Sequence, residues 1–176
     1  HRTLLLTRDG HDQPGRGANT VAVHPLLGAH VRLPEDEERH VWQADVGTAA
    51  QPWLDDHRVH DVAAMPGAAY CEMALTVAAN VLGDGAEVHD LTFHDLLLLD
   101  EHTQVSTVAA VTSEGVAELG IESAADGERV RRASAHLRAA PGGTPQPYDI
   151  AALLAAHPDR TDGADLRESF AAHGIQ

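Results

Sequence analysis

The feature that most constrains this chain is one long apolar helix pattern over residues 66–82, set among β-rich runs. Ala69, Met73, Leu75, Val77, Ala78, Val81 and Leu82 recur at helical spacing, Pro66 can occupy the first turn, and Gly83 ends the pattern. Glu72 is its only ionised side chain, so the segment reads as a helix wrapped on several sides rather than lying on a surface. Such a helix needs a partner that curves around it, and the flanking sequence offers strands.

Ahead of the helix, Val41, Gln43 and Asp45 alternate with Trp42, Ala44 and Val46, a strand over 40–46 preceded by an acidic turn at 34–38. After it come four β-rich runs, 88–99, 103–112, 116–123 and 129–138, separated by short turn signals; they read as an antiparallel meander. In the last run Val130, Arg132, Ser134, His136 and Arg138 oppose Arg131, Ala133, Ala135 and Leu137, so one side of the sheet should face water. The Leu96–Leu99 run fits a fully buried strand better than an exposed edge, or else it packs on a second fold. The simplest solution is an α+β fold, with one antiparallel sheet wrapped around the helix.

Order should begin near Val21. Residues 1–20, polar and without apolar periodicity, read as a linker. A Pro/Gly-rich break at 141–147 precedes two short helical patterns, 149–156 and 164–173, which read as an exit linker. The chain starts without Met and without a signal-peptide pattern, as expected of a piece of a larger polypeptide.

The 12 basic residues, all Arg, against 27 acidic ones give a net charge of −15, which argues against nucleic acid and anionic membrane surfaces as partners. No run approaches the roughly 20 apolar residues of a membrane span. The single cysteine, Cys71, cannot form an internal disulfide and reads as an inert core thiol, consistent with a reducing cytoplasm. Histidines are numerous but scattered. His60 beside His57 invites a metal, yet no Cys pair and no His-Glu-x-x-His spacing supports one, and none is expected.

The stretch from Trp53 to Tyr70 carries the chemistry. His57 lies nine residues before Pro66, which sets an imidazole beside a helix start whose unpaired N–H groups and positive dipole end can hold a developing oxyanion. A base beside an oxyanion site suits proton abstraction next to a carbonyl, and imidazole is the side chain available as a neutral base near pH 7. Tyr70 and Trp53 bracket the stretch as cleft-lining residues or core anchors.

These residues resemble the His-x-x-x-Gly-x-x-x-x-Pro motif of hot-dog dehydratase domains in polyketide synthases. His57 and Pro66 match it, and Asp61 stands at the Gly position, where a positive φ is tolerated by Asp better than by most residues. Further likeness lies in His24–Gly28, in Pro66–Tyr70 with Glu72 to Leu75, and in Asp162–Gln176; the wording of the whole is similar to synthases of the mycocerosic-acid type. The resemblance implies the N-terminal hot-dog of a dehydratase over residues 21–140, with 141–176 leading to a second hot-dog beyond this chain. It makes His57 the base that takes the α-proton of a β-hydroxyacyl thioester, the Gly67 N–H a donor to the thioester carbonyl, Pro66 the shaper of that turn and Tyr70 a substrate-side residue. The acid would be an Asp of the second hot-dog, since Glu72, Asp159 and Asp162 do not match its position. The implied partners are an acyl carrier protein, neighbouring synthase domains and a second copy of the parent synthase, with no cofactor beyond the carrier's phosphopantetheine. The rival readings are a non-catalytic structural or acyl-binding half, and a hot-dog thioesterase acting through Glu72.

Overall fold

The computed structural model describes residues 21–33, 36–125, 127–140 and 147–175. The 1–20 linker and most of the Pro/Gly-rich break lie outside the described residues. Strands β1 (Val21–His24), β2 (Gly28–Leu33) and β3 (Asp36–Asp45) lead through a 3-10 turn (Pro52–Asp56) to the short strands β4 (Arg58–Val59) and β5 (Val62–Ala63). Helix α1 (Gly67–Leu82) follows, then β6 (Glu87–Phe93), β7 (Gln104–Ser113), β8 (Val116–Ala125) and β9 (Glu128–Arg138). Helices α2 (Ile150–Ala156) and α3 (Gly163–Ala172) close the sequence and bury none of their residues. The seven long strands form one antiparallel sheet in the order β1-β2-β3-β7-β8-β9-β6, and β4 pairs with β5.

Side-chain alternation on the long strands builds the core. Trp42 and Ala44 of β3, Val105, Thr107 and Ala109 of β7, Ala117, Leu119 and Ile121 of β8, and Ala133, Ala135 and Leu137 of β9 are all buried. Helix α1 packs across this face against β6, β7, β8 and β9. The abundance of alanine on both partners lets helix and sheet approach closely.

Three expectations need correction. The helix is one-sided: Ala69, Tyr70, Met73, Ala74, Val77 and Ala78 are buried, whereas Ala68, Cys71, Glu72, Leu75 and Ala79 face outward. Small residues on both faces hid that asymmetry, and Cys71 is therefore an exposed thiol and not a core one. The four runs after the helix are not a plain meander, because β6 crosses to the far edge and pairs with β9, leaving β7-β8-β9 as the meander. The acidic turn before β3 is shorter than expected, since Asp36–Glu38 already belong to the strand.

Two turns depend on their residues. Gly28, at φ 68°, ends the β1–β2 connection so close to the backbone of Gln43 and Ala44 that a Cβ would collide with it. Asp45 ends β3 as a local organiser: its carboxylate accepts from the N–H groups of Gly47 and Thr103 (both 2.9 Å) and from His102 Nδ1 at 2.8 Å, joining the loops that follow β3 and precede β7. The Gly47 N–H and the His102 contact hold the Asp45 carboxyl below its ordinary value of 3.8.

Two outcomes follow. Met73 is fully buried beneath the sheet, so Met73→Ala should lower unfolding free energy by about 2–5 kcal/mol in urea titrations. Because its folded pKa is depressed, ionised Asp45 stabilises the fold above pH 3.8, and that contribution fades as the pH falls through the folded value. The gap in urea midpoint between wild type and Asp45→Asn should thus be largest near neutrality and close in acid.

Candidate active site

The site is assembled around the β4–β5 hairpin. His60 and Asp61 form its two-residue turn, at φ 49° and 63°, the left-handed pair that a tight hairpin of this hand requires. Asp61 therefore occupies a positive-φ position. Arg58 braces the hairpin: its guanidinium grips the Asp55 carboxylate with two bonds of 2.7 Å and donates to the carbonyls of Asp55 and Asp61. On the other side, the His60 N–H donates to the Gly174 carbonyl at 2.7 Å and Val59 bridges to Ile175, so residues just beyond α3 return to lie along β4.

His57 sits immediately before β4, half-buried. Its backbone carbonyl accepts from the Ala64 N–H at 3.0 Å, and its Nδ1 lies 2.9 Å from the Ala64 carbonyl oxygen. A carbonyl can only accept, so Nδ1 carries the hydrogen and, in the neutral ring, the lone pair is on Nε2. The backbone thus selects both ring orientation and tautomer.

Pro66, in extended conformation at φ −71° and ψ 146°, is the N-cap of α1 instead of a first-turn residue. It brings no capping side chain, and the helix opens on Gly67, which leaves the N–H groups of the first turn uncapped by any side chain. His57, Met65, Gly67 and Tyr70 line one cleft of about 380 Å³, whose opposite wall is the Phe93–Leu97 segment. The structure thus brings the sequence-nominated His57, Gly67 and Tyr70 to one place, with Pro66 at its edge.

Tyr70 is buried and its hydroxyl has no partner among the described residues. Burial pushes its pKa up to about 12, so the group stays a protonated donor. Its ring packs tilted against Phe93 at 5.6 Å, and Phe93 lies so near the helix start that a Cβ on Gly67 would meet its ring at 3.3 Å.

Sequence reasoning missed the 93–97 wall. After β6 the chain leaves the sheet and runs beside Ala63–Met65: the Met65 N–H donates to the Leu97 carbonyl, the Leu99 N–H to the Ala63 carbonyl, and Ala64 bridges to Leu98. Leu97 and Leu99 are buried while Leu96 and Leu98 are half exposed, which corrects the expectation of a fully buried strand. The only available hint was the run of four consecutive leucines, which hides which of them point inward.

Other nominated groups lie elsewhere. Glu72 is on the outward face of α1, 3.4 Å from His24 Nε2, and does not line the cleft, which removes the carboxylate that a thioesterase reading needs. Asp162 caps α3 by accepting from the Ala164 N–H, and Asp159 is exposed in the segment before it. Trp53 is exposed, with its indole N–H on Gln51, and is neither core nor cleft. Among the described residues no three His, Cys, Asp or Glu side chains gather as a metal set, and no helix is long and apolar enough to cross a membrane.

Comparison with known proteins identifies the family and the fold. The family model of the polyketide synthase dehydratase domain matches residues 24–124, more than half of the chain. The chain is 59% identical over 179 residues to the phthioceranic/hydroxyphthioceranic acid synthase of Mycobacterium tuberculosis, and 56% identical over 176 residues to a mycocerosic acid synthase-like polyketide synthase of Mycolicibacterium smegmatis. These alignments take in 100% and 99% of this chain but only 8% of either synthase. Among solved structures, the dehydratase domain of a mycocerosic acid synthase-like synthase superposes with a TM-score of 0.81 at 58% identity, over 88% of this chain and 55% of that one. The curacin CurF dehydratase domain, at 21% identity and a TM-score of 0.80, shares the fold. The sheet wrapped on one helix is thus the hot-dog fold, and the chain belongs to the polyketide synthase dehydratase family.

Proposed function

We propose that this chain supplies the base-bearing half of a dehydratase, which removes water from a β-hydroxyacyl thioester on an acyl carrier protein to leave an α,β-enoyl thioester. The observation that carries this reading is the His57–Ala64 pair. With Nδ1 committed to a carbonyl 2.9 Å away, Nε2 is the basic nitrogen of a ring that lines the cleft, in the same cavity as the uncapped start of α1.

In the proposed reaction Nε2 takes the proton from Cα, and the electron pair of the C–H bond moves toward the thioester carbonyl. The developing oxyanion lies at the Gly67 N–H and the positive end of the helix, where its charge is favoured. The pair then forms the Cα–Cβ double bond as the C–O bond breaks, and an Asp of a second hot-dog gives its proton to the departing hydroxyl, releasing water. Tyr70, with its hydroxyl buried and its ring against Phe93, forms part of the wall along which the acyl chain lies. Beyond the phosphopantetheine arm that carries the substrate, the reaction needs no cofactor. Neighbouring domains of a synthase supply the substrate in this reading, in which the parent is a dimeric, cytoplasmic synthase of methyl-branched lipids; what supports the synthase setting is the likeness to a phthioceranic/hydroxyphthioceranic acid synthase and a mycocerosic acid synthase-like polyketide synthase.

Two variants test this in the full-length protein. His57→Ala should cut water loss from a β-hydroxyacyl pantetheine thioester by about 10²–10⁴-fold, as loss of a general base does; undiminished turnover would overturn the assignment. Tyr70→Phe should keep or raise thermal stability, by up to about 1 kcal/mol, because it deletes an unpaired buried hydroxyl. The same variant keeps the ring against Phe93, so its KM should stay within about 2-fold of wild type, and a larger rise would overturn the reading of Tyr70 as a wall residue.

A further inference from the structure

Arg132 is a buried charge that the proposed chemistry does not use. In the β8–β9 pairing Ile121 faces Ala133 and Glu122 faces Arg131, so Arg132 is an extra residue without a partner, a β-bulge. The bulge shifts the phase of the strand, so that Arg132 faces inward together with Ala133. Arg131 points outward to Glu122 at 3.1 Å, whereas Arg132 turns into the fold and is only 8% exposed.

Each contact of Arg132 reaches the cleft wall or its support. Its carbonyl accepts from the His94 N–H at 2.8 Å, Nη1 donates to the Leu96 carbonyl at 2.7 Å and pairs with Asp95 Oδ2 at 3.1 Å, and Nε donates to Ser123 Oγ at 2.9 Å. Three successive residues of the wall, His94, Asp95 and Leu96, are thereby tied to one residue of the sheet. Next to them, Phe93 packs on Tyr70 and closes on Gly67. Burying a guanidinium carries a desolvation cost that an apolar residue at this bulge would avoid, so its value lies in a planar fork that holds several acceptors at fixed angles.

We propose that Arg132 is a positioning residue that holds the 93–97 wall against the helix start and so governs how the cleft grips an acyl chain, without touching the reacting atoms. This rests on the reading of the cleft as an acyl-thioester site. Such a residue affects ground state and transition state alike, and its loss appears in KM while kcat is retained.

The test uses Arg132→Gln and Arg132→Lys in the full-length protein, with β-hydroxyacyl pantetheine thioesters of short and long chain. For the long chain KM should rise by about 10-fold with kcat within about 2-fold, as expected for loss of uniform binding. The preference for long over short chains should fall, and the pH profile of kcat should not move. Lysine keeps the charge but not the fork, so it should restore little. Folded variants with wild-type KM and wild-type chain preference would overturn the proposal. Should Arg132→Gln fail to fold, Ser123→Ala deletes one bond alone and should raise KM by about 2–3-fold on the same principle, with no change counting against the role. Calorimetric binding of a β-hydroxyacyl pantetheine amide separates this inference from the dehydration reading. Wild type that binds the amide tightly and Arg132→Gln that binds it weakly uphold the positioning role even if no water is released. Equal binding by the two, or none by wild type, overturns it.

Discussion

Ala63, Ala64 and Met65 form a buried stretch of backbone hydrogen-bonded on both flanks, and the geometry of the site depends on it. On one flank Ala64 exchanges bonds with His57, through its N–H to the His57 carbonyl and through its carbonyl to Nδ1. On the other, Met65 and Ala63 bond to Leu97 and Leu99. The imidazole and the opposite wall are thus two strands' width apart by construction, and Met65 passes directly into the Pro66 cap of α1. His57, wall and helix start share one short hydrogen-bonded segment, and in the proposed reaction such a shared anchor is what would keep the proton-transfer distance fixed.

The scaffold behind that segment is a sheet that covers one face of one helix. Because α1 buries only part of its circumference, its other face, with Cys71, Glu72 and Leu75, is left outward, and the apolar cleft residues Phe93 and Leu96 are half exposed as well. The interior is correspondingly built from small residues: alanines on α1, β7, β8 and β9 allow close approach, while Trp42, Met73, Ile121 and Leu137 supply the bulk. Position in the sheet then decides function. The central strands are filled with core, and the edge strand β6 is where the chain can leave the ladder and shape a cavity.

What was legible in the sequence was local. The β-rich runs and turn signals in 103–138 marked β7, β8 and β9 to within two residues, and the stretch from His57 to Pro66 pointed to the cleft, because the His57 hairpin and the helix start are contiguous. What was not legible depends on pairings between distant segments. The placement of β6 beside β9, the inward turn of Arg132 and the alternating burial of Leu96–Leu99 all follow from register offsets, one of them a single extra residue in β9. Alternation alone placed Arg132 on the polar face of its strand; the bulge buries it. Likewise, alanine and cysteine are small enough for either face of a helix, so no pattern of apolarity could tell that Cys71 faces out.

The pairing of Val59 and His60 with Gly174 and Ile175 has a consequence for the order in which the site is completed. These partners lie nearly a whole domain apart in sequence, so the contact closes a very long loop and is rewarded only after the intervening sheet has formed. On a ribosome the hairpin that carries His57 emerges well before Gly174 and Ile175, which bond to it. Until then the hairpin is held by Arg58 and by its own two-residue turn. His57 and its hairpin therefore gain the Gly174–Ile175 contact only once the sheet between them has formed.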